Sequence, residues 1–234
     1  MALFSSHLHI HHNNISNNSI AGIHLYNSGN ITFAYNNFSH CTKGILFDYS
    51  GNSTLNNNIF FHCKFGIILG VSLYNTLTYN TFSNNTYGLF LSTSWNTLLS
   101  YNIFSHNRDY GLILGFISWN NIIKDNDFLG NNLGGRSQAY DNGTNNVFAH
   151  NYWDDHDTTD QNSDGIADTP YPIDGEAVNQ DLYPLMARAN PTATLPPLDS
   201  FPPSRGTVSL LFATLFLAMS SMRGFKRKKM VSTS

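Results

Sequence analysis

The sequence is poor in charge. Lysine, arginine, aspartate and glutamate together make up 12% of its 234 residues, about half the share of an ordinary soluble domain. Uncharged polar side chains must therefore face the water. A formal net charge of −3 gives no basic field of the kind that gathers nucleic acid, which removes nucleic acid from the expected partners. The two cysteines, Cys41 and Cys63, are too few for a disulfide scaffold. The opening MALFSSHLHIHH lacks the basic start, long apolar run and small-residue cleavage site of a signal peptide.

What the chain does have is a repeat. Gly22, Gly44, Gly66 and Gly88 are spaced by 22 residues and Gly111 follows after 23. Phe38, Phe60, Phe82 and Phe104 keep the same beat, continued by Phe128 and Trp153, and Asn36, Asn58, Asn80, Asn102, Asn126 and Asn151 run two residues ahead of them. Each unit holds three short runs of alternating apolar residues, such as Gly88–Leu91, Thr97–Leu99 and Asn102–Phe104, separated by Ser, Asn and Gly. Period-two runs of this length are strands, and such strands bury an apolar face only by stacking on the next unit. The expected fold is all-β: a right-handed parallel β-helix of three-strand coils of about 22 residues. The recurring Asn suits left-handed corners and can bond its amide to the coils on either side. The recurring Gly suits a corner with positive φ or a tight approach.

The units, together with the ending HNYWDDHDTTDQNSDGIADTPYPIDG and DLYPL, resemble the β-helix domain of the NosD family over roughly residues 13 to 186. That family belongs to a wider group of carbohydrate-binding and sugar-hydrolysing β-helices. The resemblance implies the fold, and through the family name it implies copper delivery, for which no ligand motif can be matched here.

Candidate chemistry is local. In Asp160-x-Asn162-x-Asp164-Gly165-x-x-Asp168, oxygen ligands alternate around a glycine turn, as a Ca²⁺ loop requires. Asp160, Asn162 and Asp164, the Ile166 carbonyl and Asp168 would hold the ion, with Asp154, Asp155 or Asp157 replacing the closing Glu, because position 12 is Tyr171. His7, His9 and His11 alternate along one run, and His40, His62 and His106 share one coil position with Asn84 between them; both sets read more simply as polar surface than as metal ligands. Cys41 and Cys63 also stack, within disulfide reach by Cα distance but with poorly aimed Cβ vectors, so they read as small core fillers. Tyr49, Tyr74, Trp95 and Trp119 fall near one corner of successive coils and could give pyranose rings an apolar platform. Asp125 and Asp127 are the one close carboxylate pair within the coils, and nothing basic is expected beside them. Among the glycosylation sequons, Asn30 is expected to point inward.

These observations divide the chain into a β-helix (1–156), a calcium-loop-like cap (157–186), a Pro-rich spacer (187–206), an apolar helix (207–222) and a basic tail (223–234). The helix, TVSLLFATLFLAMSSM, spans roughly 24 Å and relies on its flanking Arg223 and Lys226 to Lys229 at the membrane surface. An anchor without a leader leads to the expectation that earlier coils are missing, and the spacer, apolar run and basic end together also resemble a surface sorting signal. The expected function is a surface-anchored, non-catalytic β-helix that binds glycans or partner proteins. A polysaccharide-active enzyme and a copper-handling periplasmic protein are the alternatives.

Overall fold

The computed structural model describes residues 2–3, 7–135 and 137–191, with the backbone alone for Ala2–Leu3. The chain divides into two compact units, Met1–Leu198 and Asp199–Ser234, and the second lies outside the described residues. The expected apolar helix (207–222), the basic tail and most of the spacer therefore fall outside them too. Among the described residues no helix is long and apolar enough to cross a membrane.

The first unit is a parallel β-solenoid with three faces. One face is a seven-stranded sheet from Ala2–Leu3 through Ile23–Tyr26, Lys43–Asp48, Phe65–Gly70, Tyr87–Leu91 and Tyr110–Leu114 to Ala139–Asp141. A second runs from His9–His11 through Thr32–Ala34 and Thr76–Thr78 to Val147–Ala149, and gains Gln180–Asp181 and Tyr171–Pro172 at its end. The third, also seven-stranded, runs from Asn14–Ser16 through Thr81–Ser83 to Tyr152–Trp153. The strand pairs are parallel except Tyr171–Pro172 with Gln180–Asp181. Register follows the 22-residue period, with Phe38 opposite Phe60, Phe60 opposite Phe82 and Phe82 opposite Phe104.

Identical residues stack because identical positions repeat. The inward phenylalanines form one column, Phe38, Phe60, Phe82, Phe104 and Phe128, with successive ring centroids 4.8–5.0 Å apart. Trp153 and then Tyr171 continue it at 4.1 Å each. Full burial of each Phe contributes on the order of 2–3 kcal/mol by area removed from water, and the offset stacking adds to it. Tyr171, the residue standing where a calcium loop has its closing Glu, is thus the last ring of the core stack and is buried.

The glycine column is explained by close approach rather than by φ. A Cβ on Gly44 would lie 2.5 Å from the Gly66 carbonyl oxygen and 2.7 Å from the Phe60 ring. The left-handed corners, in turn, are taken by the residue before each ladder Asn: Tyr35, Asn57, Tyr79, Tyr101, Asp125 and His150 all have φ near +55°. The inward Asn residues are free of that conformation and spend their amides on bonding, so the expectation that they occupy the corners is corrected.

Each inward Asn column is a directed chain. The backbone N–H and the Nδ2 of Asn36 both donate to Asn58 Oδ1, at 3.0 and 2.9 Å, and the pattern repeats from Asn58 to Asn80, Asn102, Asn126 and Asn151. Because every coil donates toward the next, the last rung needs an acceptor with nothing further to donate. Asp181 supplies it: one carboxylate oxygen accepts the Asn151 N–H and Nδ2, both at 2.9 Å, and the Trp153 indole N–H at 3.2 Å. The column Asn85, Asn107, Asn131, Gln138 ends on Asp154 and Asp155, each 2.7 Å from Gln138 Nε2. The column Asn121, Asn146 ends on Asp141 Oδ1 at 2.9 Å. Acceptor-only side chains close all three ladders, as the polarity of the chains demands.

Candidate functional site

The outward side of the corners carries the surface chemistry. Trp95 and Trp119 occupy the same position on adjacent coils and stack with centroids 5.7 Å apart at 13°. The rung below Trp95 is Leu73, and the rung beyond Trp119 is Thr144, too small to cover an indole. Trp119 remains 40% exposed, with one face against Trp95. Tyr74 belongs to the next position round the corner, in the left-handed column with Asn52 and Asn96, and is 57% exposed. Tyr49 lies further from the pair, in the column with Asn27 and Val71, where its ring meets Tyr26 edge-on at 6.0 Å. The structure therefore joins Trp95 and Trp119, places Tyr74 beside them and sets Tyr49 apart at the preceding corner.

A second aromatic column was not foreseen. His12 stacks on Tyr35 at 5.2 Å and Tyr79 on Tyr101 at 5.2 Å, with Asn57 between the two pairs. Its signal was in the sequence, since Tyr35, Tyr79 and Tyr101 each precede a ladder Asn. The third corner holds the histidines: His40 and His62 have ring centroids 5.2 Å apart, and Asn84 separates them from His106. His9 and His11 share the outer face of one strand, while His7 sits at a left-handed bend before it. Among the described residues, no group of three or more His, Cys, Asp or Glu side chains is placed to hold a metal ion.

In the acidic loop, the side-chain oxygens are turned to the loop's own backbone. Asp160 accepts the Asp164 and Gly165 N–H groups at 3.2 and 2.9 Å, and Asp164 accepts that of Ile166 at 2.8 Å. Asn162 donates its amide to Asp164 Oδ2 at 2.9 Å, and Asp168 accepts the Gln161 N–H at 3.0 Å and the Thr159 hydroxyl at 2.7 Å. Asp154 and Asp155, considered as extra calcium ligands, are engaged by Gln138, and Asp155 also accepts the Tyr171 hydroxyl at 3.2 Å. Burial, with the Asp155 carboxylate beside it, pushes the Tyr171 phenol well above its ordinary range.

The carboxylate pair in the coils is not a free pair. Asp127 is fully buried and accepts Arg188 Nε at 3.0 Å and the Ala189 N–H at 2.7 Å, while Asp125 pairs with Lys124 at 3.2 Å. The expectation of no basic partner is corrected by Arg188, which is 61 residues away along the chain. Asp127 thus ties the segment after the cap to the solenoid wall. Asn30, expected to point inward, is exposed and bonds Asn52, whereas sequon Asn84 is buried.

Cys41 and Cys63 are both free and buried on adjacent rungs. The hydrogen bond between the two thiols lowers the pKa of Cys41, where Asn18 reinforces it against burial, and raises that of Cys63, where deeper burial adds to it.

The parallel solenoid carries stacked aromatic and imidazole side chains at its corners. Over residues 1–174 the chain matches the NosD family, described as periplasmic copper-binding protein, and it belongs to that family. Among solved structures it is similar to an alginate lyase from Paenibacillus sp. str. FPU-7, with 11% identity, 59% of this chain and 56% of that one covered, and a TM-score of 0.45. It is also similar to QnrB1, a plasmid-mediated fluoroquinolone resistance protein, with 14% identity over 63% of this chain and 80% of that one and a TM-score of 0.20. The chain thus spans little more than half of the lyase's length. No curated protein matches it.

Proposed function

We propose that the protein is an extracytoplasmic, non-catalytic β-helix that holds glycan chains against its aromatic corner. The observation carrying this reading is the Trp95–Trp119 stack, with Trp119 exposed and the exposed Tyr74 at the next corner position of the preceding coil. A pyranose ring presents an apolar face of C–H groups, and an exposed indole offers a matching platform without requiring a charged pocket. The periplasmic description of the family supports a location outside the cytoplasm, and attachment to a membrane through the apolar stretch 207–222 is part of the same proposal. The Asp160 to Asp168 loop would take Ca²⁺ at the end of the rod, its carboxylates exchanging backbone N–H groups for the ion. Incubating the full chain with acidic and neutral polysaccharides in Ca²⁺, and scoring both retention and new reducing or unsaturated ends, tests it. Retention without product agrees with the proposal; new ends would establish an enzyme instead.

The family description favours a second reading, copper handling. Its support in this chain is the pair of outward imidazoles, His40 and His62, on adjacent coils. Copper bound by wild type and lost in a His40→Ala/His62→Ala variant would favour this reading over the first.

A further inference from the structure

One inward column departs from the amide ladder at two adjacent rungs. It runs Asn18, Cys41, Cys63, Asn85, Asn107, Asn131, Gln138, and the two departures are the only cysteines in the sequence. In the amide rungs, Oδ1 is an acceptor that receives the backbone N–H of the preceding coil, as Asn107 Oδ1 receives that of Asn85 at 3.1 Å and Asn85 Oδ1 that of Cys63 at 2.8 Å. The sulfurs take over this place. Cys41 Sγ receives the Asn18 amide at 3.6 Å and the Asn18 backbone N–H, and Cys63 Sγ receives the Cys41 N–H. As thiols, the two sulfurs also donate to backbone carbonyls, Cys41 Sγ to Ser39 O at 3.3 Å and Cys63 Sγ to Phe61 O at 3.6 Å. Each thus takes both the acceptor and the donor role of the amide it replaces, and the N–H groups remain to support the sulfur once its proton is displaced by a metal. Core filling does not explain the pair, because Asn fills the same space on the rungs that follow while also bonding its neighbours.

We propose that Cys41 and Cys63 form a two-thiolate site for a soft monovalent cation such as Cu⁺ or Ag⁺. Adjacent rungs of a parallel stack are roughly 4.8 Å apart, close to two metal–sulfur bonds of roughly 2.3 Å laid end to end. Thiolates select soft cations, and two of them suffice for a cation that accepts linear coordination, so the site needs no third ligand. Binding replaces the hydrogen bond between the sulfurs: the Cys41 and Cys63 thiol protons both leave to solvent, two metal–sulfur bonds form, no electron is transferred, and the site carries one negative charge. The imidazoles of His40 and His62, one residue earlier in each coil, stand on the outer side of the same corner. This inference deepens the copper reading and rests on it for the natural cargo; the thiol geometry is independent of it.

The test is a titration of the reduced full chain with Cu⁺ under anaerobic conditions against a competing chelator, repeated with Ag⁺, reading stoichiometry and the ultraviolet thiolate-to-metal band. One equivalent is expected for wild type, with affinity falling at least a hundredfold in Cys41→Ser and in Cys63→Ser. Cys41→Asn/Cys63→Asn, which restores the amide ladder, should fold as wild type and show no band. Copper binding retained in that double variant would overturn the dithiol site while leaving the copper reading standing, and no binding by wild type would overturn both. A protein whose two thiols are already joined in a disulfide when isolated without reductant would overturn the proposal as well.

Discussion

Asp181→Ala removes the acceptor that closes the longest amide ladder. The Asn151 N–H and Nδ2 at 2.9 Å and the Trp153 indole N–H at 3.2 Å would lose their common partner inside the solenoid. Each buried donor left unpaired costs about 1–3 kcal/mol. Removing a desolvated carboxylate returns part of that, so the net loss is about 3–5 kcal/mol, typical of breaking a buried charged network from one side. At about 2–4 °C per kcal/mol for a domain of this size, the melting temperature should fall by about 6–20 °C. Asp181→Asn keeps a carbonyl for Asn151 and the Trp153 indole, which share one oxygen, but turns an amide N–H toward the Tyr183 N–H that the other oxygen of Asp181 accepts at 3.1 Å. Its loss should be smaller, about 1–3 kcal/mol. Thermal melts by circular dichroism give the ranking, and hydrogen exchange should show protection lost first in the coil of Asn151, because a solenoid frays from its ends. Asp181→Ala melting within about 2 °C of wild type, or Asp181→Asn proving the more damaging of the two, would refute the account of directed ladders.

Three further outcomes follow from the packing and the cap. Gly44→Ala drives a methyl into the Gly66 carbonyl and the Phe60 ring and should lower the urea midpoint by the equivalent of about 1–3 kcal/mol. The Tyr171 phenol is raised above its unfolded value, so its neutral form stabilises the fold below pH 10 and that contribution is lost as pH climbs beyond it; stability measured from pH 9 to pH 12 should therefore fall more steeply for wild type than for Tyr171→Phe. If the acidic loop binds Ca²⁺, the ion at a hundred times its dissociation constant adds about 2.7 kcal/mol. The melting temperature should then rise by several degrees with Ca²⁺, return with chelator, and stay unmoved in Asp160→Ala.

The period of 22 made the coils, their register and the Phe column legible, because a solenoid writes its geometry into spacing. The corner assignment was harder: both the ladder Asn and the residue before it recur with the same period, and only the backbone shows that Tyr35, Tyr79 and Tyr101 take the left-handed φ. The terminator of the longest ladder and the partner of Asp127 were invisible for a different reason. Asp181 lies 30 residues beyond Asn151 and Arg188 lies 61 beyond Asp127, across an irregular cap with no repeat to fix their positions. Tyr171 read as a defect in a calcium loop, whereas its place is set by the ring stack ending on it. Of the four aromatics grouped at one corner, two meet, because the irregular turns that follow each face shift Tyr49 and Tyr74 to neighbouring columns.

The most direct test of the proposed glycan-binding corner is the affinity of the full chain for a polysaccharide that it retains, measured by calorimetry for wild type and for Trp95→Ala/Trp119→Ala. The account predicts a loss of about tenfold or more, since stacking on an exposed ring contributes on the order of 1.4 kcal/mol, with the melting temperature nearly unchanged because Trp119 sits outside the core. Equal affinity in the two proteins would contradict it and remove the aromatic corner as the binding surface.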